Sequence, residues 1–199
     1  SVDLADAAGM PSVALTARQA LFDFGGLTSG QRVLISGAGG AVGGYAIQLA
    51  KRAGAHVIAT ASPRSKDAVE AAGADEIIDH TRASVLDSIT EPVDVLFNLA
   101  PISPDEFAAL VGRVRDGGIV LSTTVWMTTP GDDTRGVRSV DVYVQSRADD
   151  LADLVALVDR GELSLGVTRR VPLSALASIH AEAAAGRLHG KVVAVPSAD

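Results

Sequence analysis

A glycine-rich run is the part of this sequence whose residue types and spacing best suit the binding of a phosphate. It reads GAGGAVGG from residue 37 to residue 44, so five of its eight residues are glycine. Read from Gly37, the spacing G-x-G-x-x-G fails, because its last position falls on Val42. Read from Ala38, with alanine in the first position, it places Gly40 and Gly43 at the two remaining glycine positions. There Gly40 lets a pyrophosphate approach the backbone, and Gly43 lets the following helix lie against the sheet.

The surroundings of this run favour dinucleotide binding over a purely structural turn. The apolar run Arg32–Ser36 precedes it, and a helical pattern over Ala41–Arg52 follows. A helix N-terminus presents free N–H groups and the positive end of the helix dipole to a phosphate. A tight turn needs fewer glycines than this. We therefore predict that the pyrophosphate is bound by Gly39, Gly40, Ala41, Val42 and Gly43.

The residues after the second predicted strand indicate which dinucleotide is bound. In NAD-binding sites an Asp or Glu about twenty residues after the turn holds the ribose 2′-OH. Here the strand His56–Ala61 is followed by Ser62, Arg64 and Lys66, with no carboxylate before Asp67. A hydroxyl and two cations suit a 2′-phosphate, and cations are otherwise unfavourable at the start of a helix. We predict NADPH; the alternative is that Arg64 and Lys66 are ordinary solvated charges.

Polar residues at the ends of two later strands predict where the rest of the ligand lies. Ligands of open α/β sheets bind beyond the carboxyl ends of the strands, which selects Asn98-Leu99-Ala100 and Ser122-Thr123-Thr124. We expect Asn98, Leu99, Ala100, Ser122 and Thr123 beside the ribose and nicotinamide; the alternative is that such side chains cap helices or close turns. No H-E-x-x-H or G-x-S-x-G pattern occurs, the four histidines are scattered, and there is no cysteine. We assign no catalytic residue and no metal site.

Short β-branched runs alternate with helical patterns along most of the chain. The predicted strands are Arg32–Ser36, His56–Ala61, Glu76–Ile78, Val93–Leu99, Gly118–Ser122 and Val140–Val144. The predicted helices are Ala41–Arg52, Ser65–Ala72, Ala83–Ile89, Pro104–Val114 and Asp149–Arg160. This alternation calls for an α/β fold with a parallel sheet covered on both faces. Right-handed crossovers then make the sheet doubly wound, as in the Rossmann fold.

The two ends of the chain depart from this alternation. Leu4–Phe24 is mainly helical, whereas Gly166–Val171 and Lys191–Val195 are strands that we expect in another sheet, on either side of a helix over Leu173–Ala185. We predict a helical lead-in over residues 1–30, a dinucleotide-binding domain over 31–147 and a returning segment over 148–199. The polar loop Thr128–Ser139 is long enough to act as a flap.

Composition excludes several classes of partner. A formal net charge of −7 gives no general attraction to nucleic acid or to anionic lipid. The most apolar stretch, residues 33–50, contains five glycines, which indicates a strand, turn and helix rather than a membrane span. The absence of cysteine is compatible with a reducing cytoplasm. We expect a cytoplasmic protein with no nucleic-acid or membrane partner.

Several motifs, in the right order, resemble the medium-chain dehydrogenase/reductase superfamily and its zinc-free quinone oxidoreductase branch. They are VLISGAGGAVG at 33–43, AIQLAK at 46–51, GADEIID at 73–79, Leu15-Thr16-Ala17 and the tail from Pro172 to His180 with GKVV at 190–193. The resemblance implies hydride transfer from NADPH to a small electrophile, a quinone or an activated C=C bond. It implies no zinc, because Met10-Pro11-Ser12 stands where zinc-dependent relatives have a cysteine ligand. It also implies a homodimer formed through the sixth strand.

The resemblance adds two site residues and a missing domain. It puts Thr16 beside the nicotinamide amide, and it puts His80 where the branch often has a tyrosine near the adenosine phosphate; the alternative for His80 is a surface residue. It implies a preceding GroES-like substrate-binding domain, of which the C-terminal strands are remnants. We therefore expect this chain, which begins at Ser1, to be an excised or expressed domain or a partner-dependent subunit, inactive without that domain.

Two other functions fit the same residues. One is an NADP-binding structural or regulatory module that never oxidises NADPH. The other, within the enzyme class, is the enoyl reductase domain of a polyketide synthase. A methyltransferase using S-adenosylmethionine is disfavoured, because such a site wants an acidic residue after the second strand to hold the ribose hydroxyls.

Overall fold

A doubly wound parallel sheet forms the centre of the molecule, as predicted. The computed structural model describes residues 2–124, 126–188 and 190–196. Within these residues six strands pair in parallel in the order β3-β2-β1-β4-β5-β6. They are β1 Arg32–Ser36, β2 His56–Ala61, β3 Glu76–Asp79, β4 Val93–Asn98, β5 Val114–Ser122 and β6 Arg138–Asp141. The chain changes its direction of winding between β1 and β4, which makes the crevice at their carboxyl ends the place where a ligand would bind.

Helices cover both faces of the sheet. The helices are α1 Leu4–Ala7, α2 Pro11–Arg18, α3 Ala41–Arg52, α4 Lys66–Ala71, α5 Val85–Ser88, α6 Pro104–Val111, α7 Ala148–Asp159 and α8 Leu176–Ala184. A π-helix, Gln19–Phe24, continues α2, and single 3-10 turns lie at Asp133–Arg135 and Leu173–Ala175. No helix that these described residues form is both long and apolar enough to cross a membrane.

Successive side chains of each central strand enter opposite layers of the core. Val33 and Ile35 of β1 pack in the cluster that contains buried residues of α2, α3, α4 and α7. Leu34, between them, packs in the second cluster with residues of α5 and α6. Because helices cover both faces of the sheet, the residues of β1 must be apolar whichever face they point to. This is why the central strands are continuous apolar runs in the sequence.

The C-terminal strands form a sheet of their own. β7, Val167–Pro172, pairs in parallel with β8, Lys191–Val195, and neither joins the central sheet within the described residues. Arg170 of β7 reaches the N-terminal helix, with its Nε 2.7 Å from Asp6 Oδ1 and its Nη2 3.1 Å from Asp3 Oδ1. The hydrogen bond from Arg170 lowers the pKa of the Asp6 carboxyl. These ion pairs thus join β7, near the C-terminus, to α1 at the N-terminus.

Several predicted boundaries were wrong. The sixth strand is Arg138–Asp141 rather than Val140–Val144, because the Val142 N–H makes the last bond to β5, at 2.7 Å from the Ser122 carbonyl, and the strand does not continue. The helix predicted to reach Val114 ends at Val111, and β5 begins four residues before Gly118. The helix Ala83–Ile89 shrinks to α5, which the Ser84 hydroxyl caps.

The polar loop Thr128–Ser139 is fastened rather than free to act as a flap. Thr129 is buried, and both its N–H and its hydroxyl donate to the Asp141 carboxylate. Arg135 donates to the Asp116 carboxylate at 2.9 Å and to the Val111 carbonyl at 3.3 Å. Val137 is buried in the core beside α6. Since these contacts hold the loop at several points, the prediction of a flap from length alone is corrected.

Candidate functional site

The glycine turn begins in a backbone conformation that ties three strands together. Gly37 has a φ of +81°, a left-handed conformation that L side chains rarely adopt. Its N–H donates to the Thr60 hydroxyl of β2 at 2.8 Å. A Cβ at Gly37 would lie 2.9 Å from the backbone nitrogen of Ala100, which follows β4. The turns after β1 and β4 therefore meet backbone to backbone, and only glycine fits between them.

The N-terminus of α3 is open toward the carboxyl ends of the strands. Gly40 is its N-cap, and no side chain of the described residues caps it. The first-turn N–H groups, those of Ala41, Val42 and Gly43, therefore lack intrahelical partners. A Cβ at Gly40 would meet nothing closer than the Gly37 carbonyl at 3.6 Å, so the space above it is free. An uncapped N-terminus below an unfilled space suits the pyrophosphate of a dinucleotide.

Gly43 serves packing, as the spacing predicts. A Cβ there would come within 2.2 Å of the Ala38 carbonyl oxygen. Backbone cannot yield to that extent, so a side chain would push α3 away from the turn. Gly43 is therefore required by the approach of helix and turn, whereas Gly40 leaves room for a ligand.

Gly39 has a role that the spacing did not reveal. A Cβ at Gly39 would lie 2.4 Å from Ser65 Oγ and 2.6 Å from Ser65 Cβ. The Ser65 hydroxyl accepts from the Ser62 N–H at 3.2 Å and lies 3.3 Å from the Ser62 carbonyl, to which it donates. The turn after β2 thus presses directly on the glycine turn. Ser65 was missed because its only sequence signal is that of an ordinary helix start.

Basic side chains gather at the carboxyl ends of β2 and β3. The His80 N–H donates to the Ala61 carbonyl at 3.2 Å, which brings the end of β3 beside Ser62. Arg64, Lys66 and His80 are all exposed. In the part of the chain that the structure describes, no carboxylate forms an ion pair with Arg64 or Lys66. The backbone therefore brings together the two segments that carry these residues, and the Arg64 and Lys66 cations are exposed to an anion.

Asp79, the carboxylate that directly precedes His80, is hydrogen-bonded within its own turn. Asp79 accepts from the Thr81 hydroxyl at 2.6 Å and from the Thr81 N–H at 3.0 Å. These hydrogen bonds, with Arg82 at 3.6 Å, lower the pKa of the Asp79 carboxyl. Asp79 remains ionised at neutral pH, and its carboxylate is hydrogen-bonded to Thr81 and paired with Arg82.

The side chains predicted beside the nicotinamide are mostly engaged within the protein. Asn98 is buried, donates to the Ala100 carbonyl at 3.0 Å and accepts from the Ala100 N–H at 3.3 Å. Ser122 is buried, and its hydroxyl lies 2.6 Å from that of Thr124. Leu99, Ala100 and Thr123 are half-buried, and the Thr123 N–H donates to the Asn98 carbonyl at 3.2 Å. Asn98 and Ser122 therefore shape this end of the site and do not reach into it.

Thr16 lies on α2 and not on the sheet. It is buried, and its hydroxyl donates to the Ser12 carbonyl at 2.8 Å, which leaves only its lone pairs for another group. Three residues later comes Gln19, which sequence reasoning missed. Its side-chain amide makes two hydrogen bonds with the backbone of Gln145. Its signal in the sequence was a polar residue placed directly before the apolar run Ala20-Leu21-Phe22.

A groove of about 330 Å³ runs from the glycine turn between α3 and α4 toward the start of β7. Small side chains line most of it. The buried Tyr45 hydroxyl accepts from the Gly166 N–H at 3.3 Å, and burial raises the pKa of the Tyr45 phenol.

Among residues 2–124, 126–188 and 190–196, no three His, Asp or Glu side chains are grouped so as to hold a metal ion.

Comparisons with known proteins agree with this arrangement. A family model for zinc-binding dehydrogenases matches residues 72–194. Over 98% of its length the chain is 30% identical to a chloroplast envelope quinone oxidoreductase homolog of Arabidopsis thaliana, of which it covers 63%. It is 32% identical to a mitochondrial NAD(P)H oxidoreductase of Mus musculus, over 94% of this chain and 54% of that one. The solved quinone oxidoreductase from Coxiella burnetii matches with a TM-score of 0.84 at 30% identity, covering 94% of this chain and 59% of that one. The chain spans less than two thirds of the length of each.

Proposed function

The chain belongs to the medium-chain dehydrogenase/reductase superfamily, as a quinone oxidoreductase-like member, and from this we propose that it binds NADPH. We further propose that the whole protein transfers hydride from NADPH to a quinone, an enone or an enoyl group. The proposal assigns the chain no metal ligand and no proton donor.

One observation carries the choice of NADPH. Beyond the end of β2, Arg64 and Lys66 are exposed and unpaired among the described residues, with Ser62 and His80 beside them. A carboxylate at this place would hold a ribose 2′-OH and repel a 2′-phosphate. The nearest carboxyl groups are Asp67, which lies inside α4, and Asp79, which is hydrogen-bonded to Thr81. The local charge therefore favours a phosphate.

Different parts of the ligand are held by different turns at the carboxyl ends of the strands. The N–H groups of Ala41, Val42 and Gly43 hold the pyrophosphate, and the basic cluster holds the 2′-phosphate. The turns after β4 and β5, which Asn98 and Ser122 keep rigid, line the ribose and the nicotinamide, with Thr16 beside the carboxamide. When bound, the nicotinamide supplies the hydride, and the protein supplies orientation and excludes water.

A second candidate is an NADP-binding module without turnover. It is favoured by the burial and internal hydrogen bonds of Asn98 and Ser122, which hold these side chains within the protein instead of presenting them to a substrate. The two candidates differ in one property. A reductase consumes NADPH when an electrophile is present, whereas a module binds NADPH and leaves it unchanged.

The experiment that separates them uses the full-length protein that contains this chain. The loss of NADPH absorbance is followed with a benzoquinone, with an α,β-unsaturated ketone and with no acceptor. The proposal expects oxidation that depends on at least one acceptor and is lost in the Arg64→Ala, Lys66→Ala double variant at low NADPH. Binding of NADPH without oxidation by either acceptor would establish the module instead.

A further inference from the structure

Gln19 joins two segments that are far apart in sequence. Its Nε2 donates to the Gln145 carbonyl at 2.8 Å, and its Oε1 accepts from the Gln145 N–H at 2.9 Å. The side chain therefore pairs with the backbone as a neighbouring strand would. Gln19 is 1% exposed, although glutamine is usually found at the surface. Burial of a polar amide is tolerated because both of its polar atoms are satisfied.

The place of Gln19 in its helix is also unusual. It opens the π-helix that continues α2, in which the Gly25 N–H donates five residues back to the Ala20 carbonyl at 2.8 Å. π-Helical turns are rare and occur often at functional sites. Residues three apart on a helix are neighbours, so Gln19 lies close to Thr16 on the same face. The contact with Gln145 thus brings that face to the end of the sheet.

The segment that Gln19 holds lies at the carboxyl edge of β5 and β6. Its first residue, Val142, donates its N–H to the Ser122 carbonyl at 2.7 Å. Its last, Gln145, is held by Gln19. Between these two attachments Tyr143 and Val144 are exposed, at 62% and 42%. An ion pair between Arg147 and Asp23, at 2.6 Å, supports the same connection from outside.

We infer that Gln19 is a positioning residue for the nicotinamide end of the site, holding the segment Val142–Gln145 against the end of β5. This inference rests on the proposed function. The 2′-phosphate cluster lies beyond β2 and β3, so a dinucleotide that crosses the glycine turn has its other end beyond β4, β5 and β6. Gln19 controls the geometry there and has no contact with the adenosine end.

The chain contains a matched control for this contact. Gln48 of α3 donates to the Ser164 carbonyl at 3.3 Å and accepts from the Ser164 N–H at 2.8 Å. It is the same kind of side chain paired with backbone, and it holds the segment after α7 just as Gln19 holds the segment before it. Gln48 is only half-buried, so its loss should cost no more stability than that of Gln19 and should leave Val142–Gln145 in place.

The test compares NADPH with adenosine 2′,5′-bisphosphate, which carries only the adenosine end. Calorimetric titrations of the unsubstituted chain, Gln19→Met and Gln48→Met are expected to give similar affinities for the bisphosphate. For NADPH, Gln19→Met is expected to bind about tenfold more weakly, because the released segment Val142–Gln145 must then be ordered when the ligand binds, and Gln48→Met is expected to match the unsubstituted chain. Gln19→Asn, which keeps the uncharged amide but is one methylene shorter, should lose less than Gln19→Met and covers the case that Gln19→Met does not fold.

Four results would overturn the inference. Equal NADPH affinity in Gln19→Met and the unsubstituted chain would show that the contact does not act on the site. Equal losses for both ligands, or the same loss in Gln48→Met, would show a general structural role. Failure of the unsubstituted chain to bind NADPH while it binds the bisphosphate or NADH would overturn the proposed cofactor, and this inference with it.

Discussion

Gly39 and Ser65 are in contact across the entrance to the candidate site, so that a Cβ on Gly39 would lie 2.4 Å from Ser65 Oγ. The contact joins the turn that would hold the pyrophosphate to the turn that leads into the basic cluster. It fixes the separation of these two turns, and so the spacing between two phosphate sites. The two turns can lie this close only because residue 39, a glycine, has no side chain.

The first prediction concerns this contact. Gly39→Ala is expected to lower the free energy of unfolding by about 1–3 kcal/mol, the usual cost of inserting a methyl group into a packed site, and to weaken NADPH binding. Ser65→Gly in the same chain removes both close atoms and should restore most of the loss. Gly44→Ala is the control, because a Cβ there meets nothing within 4 Å; urea denaturation should show it unchanged or slightly more stable. Full stability in Gly39→Ala alone would contradict the contact.

A second prediction concerns the hydroxyl beneath the turn. Thr60 is buried and accepts the Gly37 N–H at 2.8 Å. Thr60→Val keeps the shape but leaves that N–H without a partner, which should cost about 1–3 kcal/mol of unfolding free energy. Thr60→Ser keeps the hydroxyl and should cost less. If thermal or urea unfolding ranks Val above Ser, the hydrogen bond is not what holds the turn.

A third prediction concerns acid stability at the opposite end of the sheet. Glu76 lies 2.6 Å from His56 Nε2 and 3.3 Å from Arg32 Nη2. The hydrogen bond with His56, followed by the charge of Arg32, lowers the pKa of the Glu76 carboxyl below its ordinary 4.5. Because its pKa is lower in the folded state, Glu76 stabilises the fold above about pH 4.5, and this contribution is lost as the pH falls through its folded pKa.

The measurement is the urea midpoint of the unsubstituted chain and of Glu76→Gln from pH 7 to pH 3. The two midpoints should differ at neutral pH and converge below pH 4.5. Glu70→Gln, an exposed change on α4, serves as control and should track the unsubstituted chain throughout. A difference that persists undiminished at pH 3 would mean that the side chain acts through packing instead of charge.

A fourth prediction concerns assembly. β6 pairs only with β5 among the described strands, and three of its four residues, Arg138, Ser139 and Asp141, are exposed. Because an open strand edge invites pairing with another chain, we propose a homodimer formed through β6. Sedimentation equilibrium at tens of micromolar should give twice the mass of the chain, and Ser139→Lys should shift it toward the monomer. A monomer across that concentration range would count against the proposal.

The inner strands of the central sheet were predictable because they are covered on both faces. Arg32–Ser36 and His56–Ala61 were predicted to the residue, since burial on two sides demands an unbroken apolar run. The sixth strand was misplaced because Val142 is apolar and buried, yet it follows the last residue of β6. Apolar character alone does not distinguish a strand from a buried segment after it.

The sequence was enough to locate the candidate site, but not to predict the contacts that hold its segments in place. The glycine spacing predicts that Gly40 leaves room for a ligand and that Gly43 allows close packing. In the structure the space at Gly40 is open and the space at Gly43 is filled. The contacts of Ser65 with Gly39 and of Gln19 with Gln145 join segments that nothing in the local sequence connects. Asn98 and Ser122 have the right places for a ligand, but their side chains are used internally, an outcome that only packing decides.

The most direct test of the account compares the affinities of the chain for NADPH and NADH. Trp126 lies four residues after β5 and is 71% exposed, so energy transfer from it to the reduced nicotinamide can follow both titrations. NADPH should bind at least about tenfold more tightly. Arg64→Ala with Lys66→Ala should abolish the preference, while Arg138→Ala with Arg187→Ala, an equal change in charge, should preserve it. Equal or tighter binding of NADH by the unsubstituted chain would contradict the account.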